Sequence, residues 1–495
     1  MDICRRTFGA YILAGVASRA LALPPRPKLL VLVVLEQIRP DYLDAIWPQL
    51  GPRGLRRVVE YGAFFPDCRH LASSYTASTL ASLATGAYPA QHGVVADIWF
   101  DQSAGQPVRA SEEALQATTL TAQVAASGAR TYVIALDASE GGLFAGTAAA
   151  RQFWMDAEGR FQTQGEPPAW LDEYNRRRPL EQLHDAPWLA LGAMPGAPPL
   201  RTLTFDANRP RDFLDLYKAS PFSQTAGFEF LSELMMREAL GQGSTFDFVT
   251  LIVSSAAALG FETGARSPLM QQMILQFDRQ LEYLLDQLDR APGAGQYNLV
   301  LAGGHGAPPV PRPDVRSRMV VNGELLAQGI QQRLVAEGNG RVEKYLYPFL
   351  YLNTTGVEDP EAVRRVAGRI ALENRAVAAY YTAGGECSVR DEWERRFRNS
   401  FHPRRAGDLM LSYQPEYIED YGEGRGISYG SLYNYDIQTA LCLFGPQFRA
   451  EVFESPIESV DLAPTLARAI GVERPSSSTG RVLGEAFAGP QNAIR

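Results

Sequence analysis

Lys28 to Leu35 reads KLLVLVVL, a continuous apolar run rather than an alternating one. Such a run predicts a strand covered on both faces. Residues 129–136, 245–253 (TFDFVTLIV) and 297–302 carry runs of the same kind. Between them, 113–126, 226–240 and 267–290 read as helices, the last with apolar residues at helical spacing. This alternation predicts an α/β fold with a central, mainly parallel sheet and helices on both faces. From about 160 to 215 the chain turns rich in Pro, Arg and Trp, and 307–400 is irregular and Arg-rich. Both segments read as insertions forming a cap over the sheet's carboxyl edge, where open α/β sheets place ligands. Trp154, Trp170 and Trp188 are expected to serve as core of that cap rather than as a stacking platform.

Composition narrows the function classes. With 46% hydrophobic and 21% charged residues the chain is an ordinary packed protein, not a disordered or coiled-coil one. A net charge of −8 speaks against nucleic acid as a partner, because binding it usually needs a basic face. Four cysteines without a CxxC pair exclude a zinc ribbon or a disulfide scaffold. Residues 1–22 read as a signal peptide: Arg5 and Arg6, an apolar run from Phe8 to Ala17, then Ala20-Leu21-Ala22 as the cleavage site. A buried N-terminal helix is the alternative, since the run is shorter than the roughly 20 residues that a spanning helix needs. Arg5-Arg6-Thr7-Phe8 also resembles a twin-arginine signal, so Sec and twin-arginine routes both stay open. The mature chain, 23–495, is expected to be exported to the periplasm or beyond, with no membrane span. Removal of Cys4 leaves Cys68, Cys387 and Cys442, an odd number that leaves at least one thiol unpaired within the chain.

No P-loop, GxSxG elbow or HExxH occurs. Other segments carry the information: LVVLEQIRPDYL at 32–43, SYTASTLASLATGAYPAQHGV at 74–94, SPLMQQMILQFDRQLEYLLDQLD at 267–289 and LVLAGGHGAPPVP at 299–311. They continue with RAGDLMLSYQPEY at 405–417, GSLYNYDIQTALCLFGP at 430–446 and SVDLAPTLARAIGV at 459–472. In these segments, from about residue 28 to 487, the chain resembles the alkaline phosphatase superfamily. The likeness is to its type I phosphodiesterase/nucleotide pyrophosphatase branch and to bacterial phosphate-irrepressible phosphatases. The resemblance implies two zinc ions clamping a phosphoryl group in an in-line displacement. It also implies a Thr or Ser nucleophile at a helix start, and Thr76 in SYTASTLAS matches that position. The same segment would serve as well as a helix cap.

At the ligand positions the chain departs from the family. Glu36 replaces the first-strand Asp, Ala257 and Phe261 stand where an Asp-x-x-x-His pair belongs, Gly304 replaces the Asp before His305, and Gln438 replaces the last His. Ala257, Phe261 and Gly304 have no donor for zinc, which needs imidazole, thiolate or carboxylate. Positions that contact phosphate in the family are altered too. Asp97 stands for an Asn, and Asp137 and Ser139 stand for the Lys and Arg of monoesterases. An acid 4 Å from a phosphate costs about 4 kcal/mol at an effective dielectric near 20. The resemblance therefore implies a degenerate pseudoenzyme that has kept at most one weak zinc or other divalent cation at Glu36, Thr76 and His305. The alternative is an active metal-dependent phosphoric ester hydrolase using one metal and Thr76. Glu262, next to Phe261, and Tyr429, where relatives often carry a His, are the residues able to rescue a site. His70, His92, His184 and His402 are expected in packing or surface roles, and Asp436 in orienting backbone or Tyr groups. The ligand or protein partner is unknown at this level.

Overall fold

The computed structural model describes residues 26–37, 39–147, 150–308, 319–337, 340–415, 417–420 and 429–489. The segment read as a signal peptide, 1–22, lies outside them. The main sheet is built from β1 (Leu29–Leu35), β2 (Ala63–Arg69), β3 (Arg130–Ile134), β4 (Arg151–Met155), β5 (Phe161–Thr163), β6 (Asp247–Val253) and β7 (Tyr297–Gly303). A second, antiparallel sheet contains β8 (Arg341–Leu346), β9 (Phe349–Asn353), β10 (Val377–Thr382) and β11 (Leu409–Tyr413), after which β12 (Gln438–Phe444) returns to the first. The order across the main sheet is β2-β12-β7-β1-β6-β3-β4-β5. From β7 to β4 every pairing is parallel, and β12, β2 and β5 add antiparallel neighbours.

The apolar run in β1 follows from its central place. Leu30, Leu32 and Val34 join one core layer while Leu29, Val31, Val33 and Leu35 join the other. The first layer is closed by α1 (Thr76–Thr85), through Leu80 and Ala84, and by the 462–470 helix. The second is closed by α4 (Pro221–Arg237) and α6 (Pro268–Leu288). Between these come α2 (Ala138–Ala145), α3 (Pro210–Lys218) and α5 (Ser255–Thr263). The predicted helix over 113–126 is split into a 3-10 turn at Glu112–Ala114 and a helix at Leu120–Ala126. The break falls at Thr118-Thr119, because the Thr119 hydroxyl caps the second piece by accepting the Ala122 N–H at 3.1 Å.

The two inserted segments sit differently. In the first, Phe230 from α4 is ringed by Phe153, Phe161, Trp170 and Tyr174 at centroid distances of 4.0–5.6 Å, so Trp170 belongs to a core. Its strand-helix continuation, Arg201–Leu203 and α3, reaches the carboxyl edge of the main sheet. The second sheet packs one face on its own helices and the other, through Phe349, Tyr351, Ala379, Tyr381 and Met410, on the α1 layer. Cys68, Cys387 and Cys442 are all free thiols. Among the described residues no helix is long and apolar enough to cross a membrane.

Candidate functional site

Parallel register decides what meets at the carboxyl edge. Leu35 pairs with Val253 on one side and Gly303 on the other. The next residues of the three strands, Glu36, Ser254 and Gly304, therefore begin their loops side by side. The Glu36 N–H donates to Val253 O, and the Gly304 N–H to Leu35 O. Thr76 opens α1 directly above this row.

Glu36, Thr76 and His305 come together as the sequence predicts. Thr76 Oγ1 lies 3.5 Å from Glu36 Oε2 and 3.4 Å from His305 Nε2. Its shortest contact is to the Tyr429 hydroxyl, at 3.0 Å, and the Tyr429 ring stacks on His305 at 4.3 Å. His305 Nδ1 faces Gly306 O at 2.7 Å, which makes Nδ1 the protonated nitrogen and leaves Nε2 an acceptor. Burial pulls this imidazole down to about 4, so it is neutral with or without a metal. Asp97 accepts the Ala77 N–H at 2.8 Å. A side-chain carboxylate thus occupies the helix N-terminus that would otherwise attract a phosphate.

The floor is unusually rich in carboxylates. Burial, with Glu140, Asp97 and Asp137 nearby, pushes Glu36 well above the usual carboxylate range. Glu140, on α2, is raised to about 8 by burial and by Asp137, although the Ser254 hydroxyl donates to it. Among the described residues Glu36 Oε1 and Glu140 Oε2 have no hydrogen-bond donor. Asp137 caps α2, its Oδ1 accepting the Ser139 N–H and hydroxyl at 2.9 and 2.6 Å. The residues at the family's Lys and Arg positions thus serve helix α2 here. These groups face a cavity of about 940 Å³ whose other wall is Thr204 to Ala219.

The four altered positions do not all reach the cavity. Ala257 and Phe261, one helical turn apart on α5, line it. Gly304 lies against Glu36: a Cβ there would meet Glu36 Cγ at 3.2 Å. Gln438 begins β12 and pairs with Arg69, away from the cavity wall. Glu262 also lines the cavity, with its carboxylate ion-paired to Arg201. Two zinc ions do not fit this donor set. No group of three or more His, Cys, Asp or Glu able to hold a metal occurs among the described residues. The remaining histidines pack: His70 on Gly303 O, His92 on Ser82, His402 on Gln116, and His184 stacked on Phe205. Asp436 holds the loop beside His305, accepting from the Ser431 N–H and hydroxyl while its own carbonyl accepts from Gly306.

The sequence reading missed Glu140. Its own segment, ALDASEGGLFAG at 135–146, offered an acid in the first turn of a helix, which ordinarily serves only the helix dipole. The 204–219 wall overlaps the end of the segment read as a cap at about 160–215 and runs a few residues beyond it.

A mainly parallel sheet with a threonine-headed helix over its carboxyl edge is the architecture of the alkaline phosphatase superfamily. The family model for type I phosphodiesterase/nucleotide pyrophosphatase matches residues 30–430, and the chain belongs to that family. It is similar to the alkaline phosphatase PhoV of Synechococcus elongatus, 24% identical over 92% of both chains. It is also similar to the alkaline phosphatase PafA of Elizabethkingia meningoseptica, 23% identical over 96% of this chain and 98% of that one. The wild-type PafA crystal structure superposes with a TM-score of 0.81 at 20% identity, covering 94% of this chain and all of the other. Murine ectonucleotide pyrophosphatase/phosphodiesterase 5 shares the fold at a TM-score of 0.57 and 13% identity, over 93% of this chain.

Proposed function

We propose that this member of the type I phosphodiesterase family is a pseudoenzyme: an exported chain that has lost two-zinc phosphoryl transfer and keeps the cavity for binding. The observation that carries this reading is the seat of Asp97 on the Ala77 N–H, where a transferred phosphoryl group would need an open anion site. The replacements at Ala257, Phe261, Gly304 and Gln438 support it from the metal side. Thr76 has no strong base of its own, since an imidazole pulled to about 4 is too weak to draw a proton from threonine at neutral pH. Any divalent cation is then a single weak one at Glu36, Thr76 and His305. Zinc titration of the mature chain and of His305→Ala tests that assignment. Equal binding by both, or two ions per chain, refutes it.

The expected result in the functional test is negligible hydrolysis of p-nitrophenyl phosphate, bis-p-nitrophenyl phosphate and dinucleotides with zinc added. Turnover at ordinary enzyme rates, roughly 1 per second or more and abolished by Thr76→Ala, refutes the pseudoenzyme reading. One observation favours the second reading, an active hydrolase with one metal and Thr76 as nucleophile. The contacts of 3.5 and 3.4 Å from Thr76 to Glu36 and His305 match the edges of a tetrahedron with bonds of about 2.0–2.2 Å. Export is tested by intact mass of the secreted fraction, with cleavage after Ala22 expected and a retained N-terminus refuting it.

A further inference from the structure

Tyr429 touches two of the three residues assigned to the residual cation site. Its hydroxyl lies 3.0 Å from Thr76 Oγ1, closer than Glu36 Oε2 at 3.5 Å or His305 Nε2 at 3.4 Å. Its ring stacks on the His305 imidazole, with centroids 4.3 Å apart and planes within 12°. It lines the same cavity as Glu36 and Thr76.

The chain just beyond Tyr429 is firmly held. Gly430 has φ +102°, and a Cβ there would meet the Tyr75 ring at 2.5 Å, so the backbone lies flat against that ring. Ser431 follows, its N–H and hydroxyl both donating to Asp436 Oδ2, at 3.0 and 2.5 Å. The Asp436 carbonyl in turn accepts the Gly306 N–H at 2.7 Å. The loops of Tyr429 and His305 are thus stitched together, and the phenol is delivered to Thr76 by built structure.

Counting protons assigns the roles. Thr76 has one proton and two lone pairs, and a phenol carries one proton at neutral pH. His305 Nε2 is an acceptor, so Thr76 directs its proton there and takes the phenol proton on a lone pair. A cation at Glu36, Thr76 and His305 competes for the same Thr76 oxygen and meets the positive end of the phenol O–H. Stacking leaves the in-plane lone pair of Nε2 clear, so the obstruction lies at Thr76. A cation that binds only the opened form has its affinity lowered by the share of the closed one.

We propose that Tyr429 is an autoinhibitory side chain: its hydroxyl caps the Thr76 oxygen, and a divalent cation enters the residual site only as this contact opens. The proposal rests on the reading of one residual cation site at Glu36, Thr76 and His305. Zinc titration by calorimetry of the mature chain, Tyr429→Phe and Tyr433→Phe tests it. Tyr429→Phe keeps the stacked ring and removes the hydroxyl alone. It should bind zinc about fivefold more tightly, the fold-change that corresponds to one neutral hydrogen bond. Tyr433→Phe removes a neighbouring hydroxyl, one that donates to Tyr413 O, and should bind zinc as the parent does. A tyrosine difference spectrum gives an independent readout: zinc should perturb one tyrosine in the parent, and that signal should be absent from Tyr429→Phe. Zinc affinity of Tyr429→Phe equal to or below the parent's overturns the proposal, as does a gain shared by Tyr433→Phe or a tyrosine signal that persists in Tyr429→Phe. Equal zinc binding by the parent and His305→Ala refutes instead the residual-site reading. Zinc binding that needs His305 but gains nothing from Tyr429→Phe sinks the autoinhibition alone.

Discussion

Gly304→Asp, which restores the family's carboxylate, is expected to destabilise this protein by about 2–4 kcal/mol, and to cost less than half as much in a chain that already carries Glu36→Ala. The new Cβ would lie 3.2 Å from Glu36 Cγ, tighter than side chains ordinarily pack, and in ordinary contact with Glu36 Cα at 3.5 Å. The added carboxylate would also stand beside a buried acid that already has Glu140, Asp97 and Asp137 as neighbours. Two such charges 4 Å apart repel by about 4 kcal/mol at an effective dielectric near 20, unless one takes up a proton. Replacing Glu36 by alanine removes both the Cγ that the new Cβ would meet and the like charge. Residues 36 and 304 therefore form one unit, the longer acid filling the room left by the glycine. Urea unfolding of the parent, both single variants and the double variant measures the coupling. Strict additivity of the two changes would show that the sites are independent and this account wrong.

Glu140→Gln is expected to act in the opposite direction, raising stability by on the order of 3 kcal/mol at pH 8 and leaving it nearly unchanged below about pH 4. Burial and Asp137 raise the folded-state value of Glu140 to about 8, whereas in the unfolded chain it titrates near an ordinary 4.3. Between those values the folded chain holds a proton that the unfolded chain releases. The stability of the parent therefore falls as pH rises through this window and levels off above it. Glutamine keeps an oxygen for the Ser254 hydroxyl and carries no charge, so the variant lacks that slope. Melting or urea curves at pH 4, 6 and 8 decide the matter, and parallel pH profiles for parent and variant would refute it.

How much of this was legible in the sequence varies with the range of the interaction. The KLLVLVVL run specified β1 because a strand covered on both faces has no polar side to alternate with. Thr76, Glu36, Gly304 and His305 were legible through the resemblance carried by LVVLEQIRPDYL, SYTASTLAS and LVLAGGHGAPPVP, since local pattern alone makes Thr76 no more than a helix cap. The split in 113–126 was less so: helical propensity runs through it, and only the Thr119 hydroxyl, by capturing the Ala122 N–H, decides where the helix restarts.

The rest belongs to tertiary structure. Asp97 lies 20 residues from Ala77, and its seat on that N–H depends on how the loop folds back. Tyr429 reaches Thr76 and stacks on His305 across more than 100 residues of chain from the latter, a contact that no local pattern encodes. Glu140 reads in sequence as a surface acid of a first helical turn. It becomes a half-buried group whose carboxyl is pushed up to about 8 only because β3 and β1 deliver α2 and Glu36 to the same edge through β6. Hydrophobic periodicity is a local property, so the sequence alone determined the strands and the central sheet, while the altered ligand positions were implied by the family resemblance. Desolvation and like-charge proximity are properties of the assembled volume, so only the tertiary structure decided that the vacated floor holds carboxylates in want of donors.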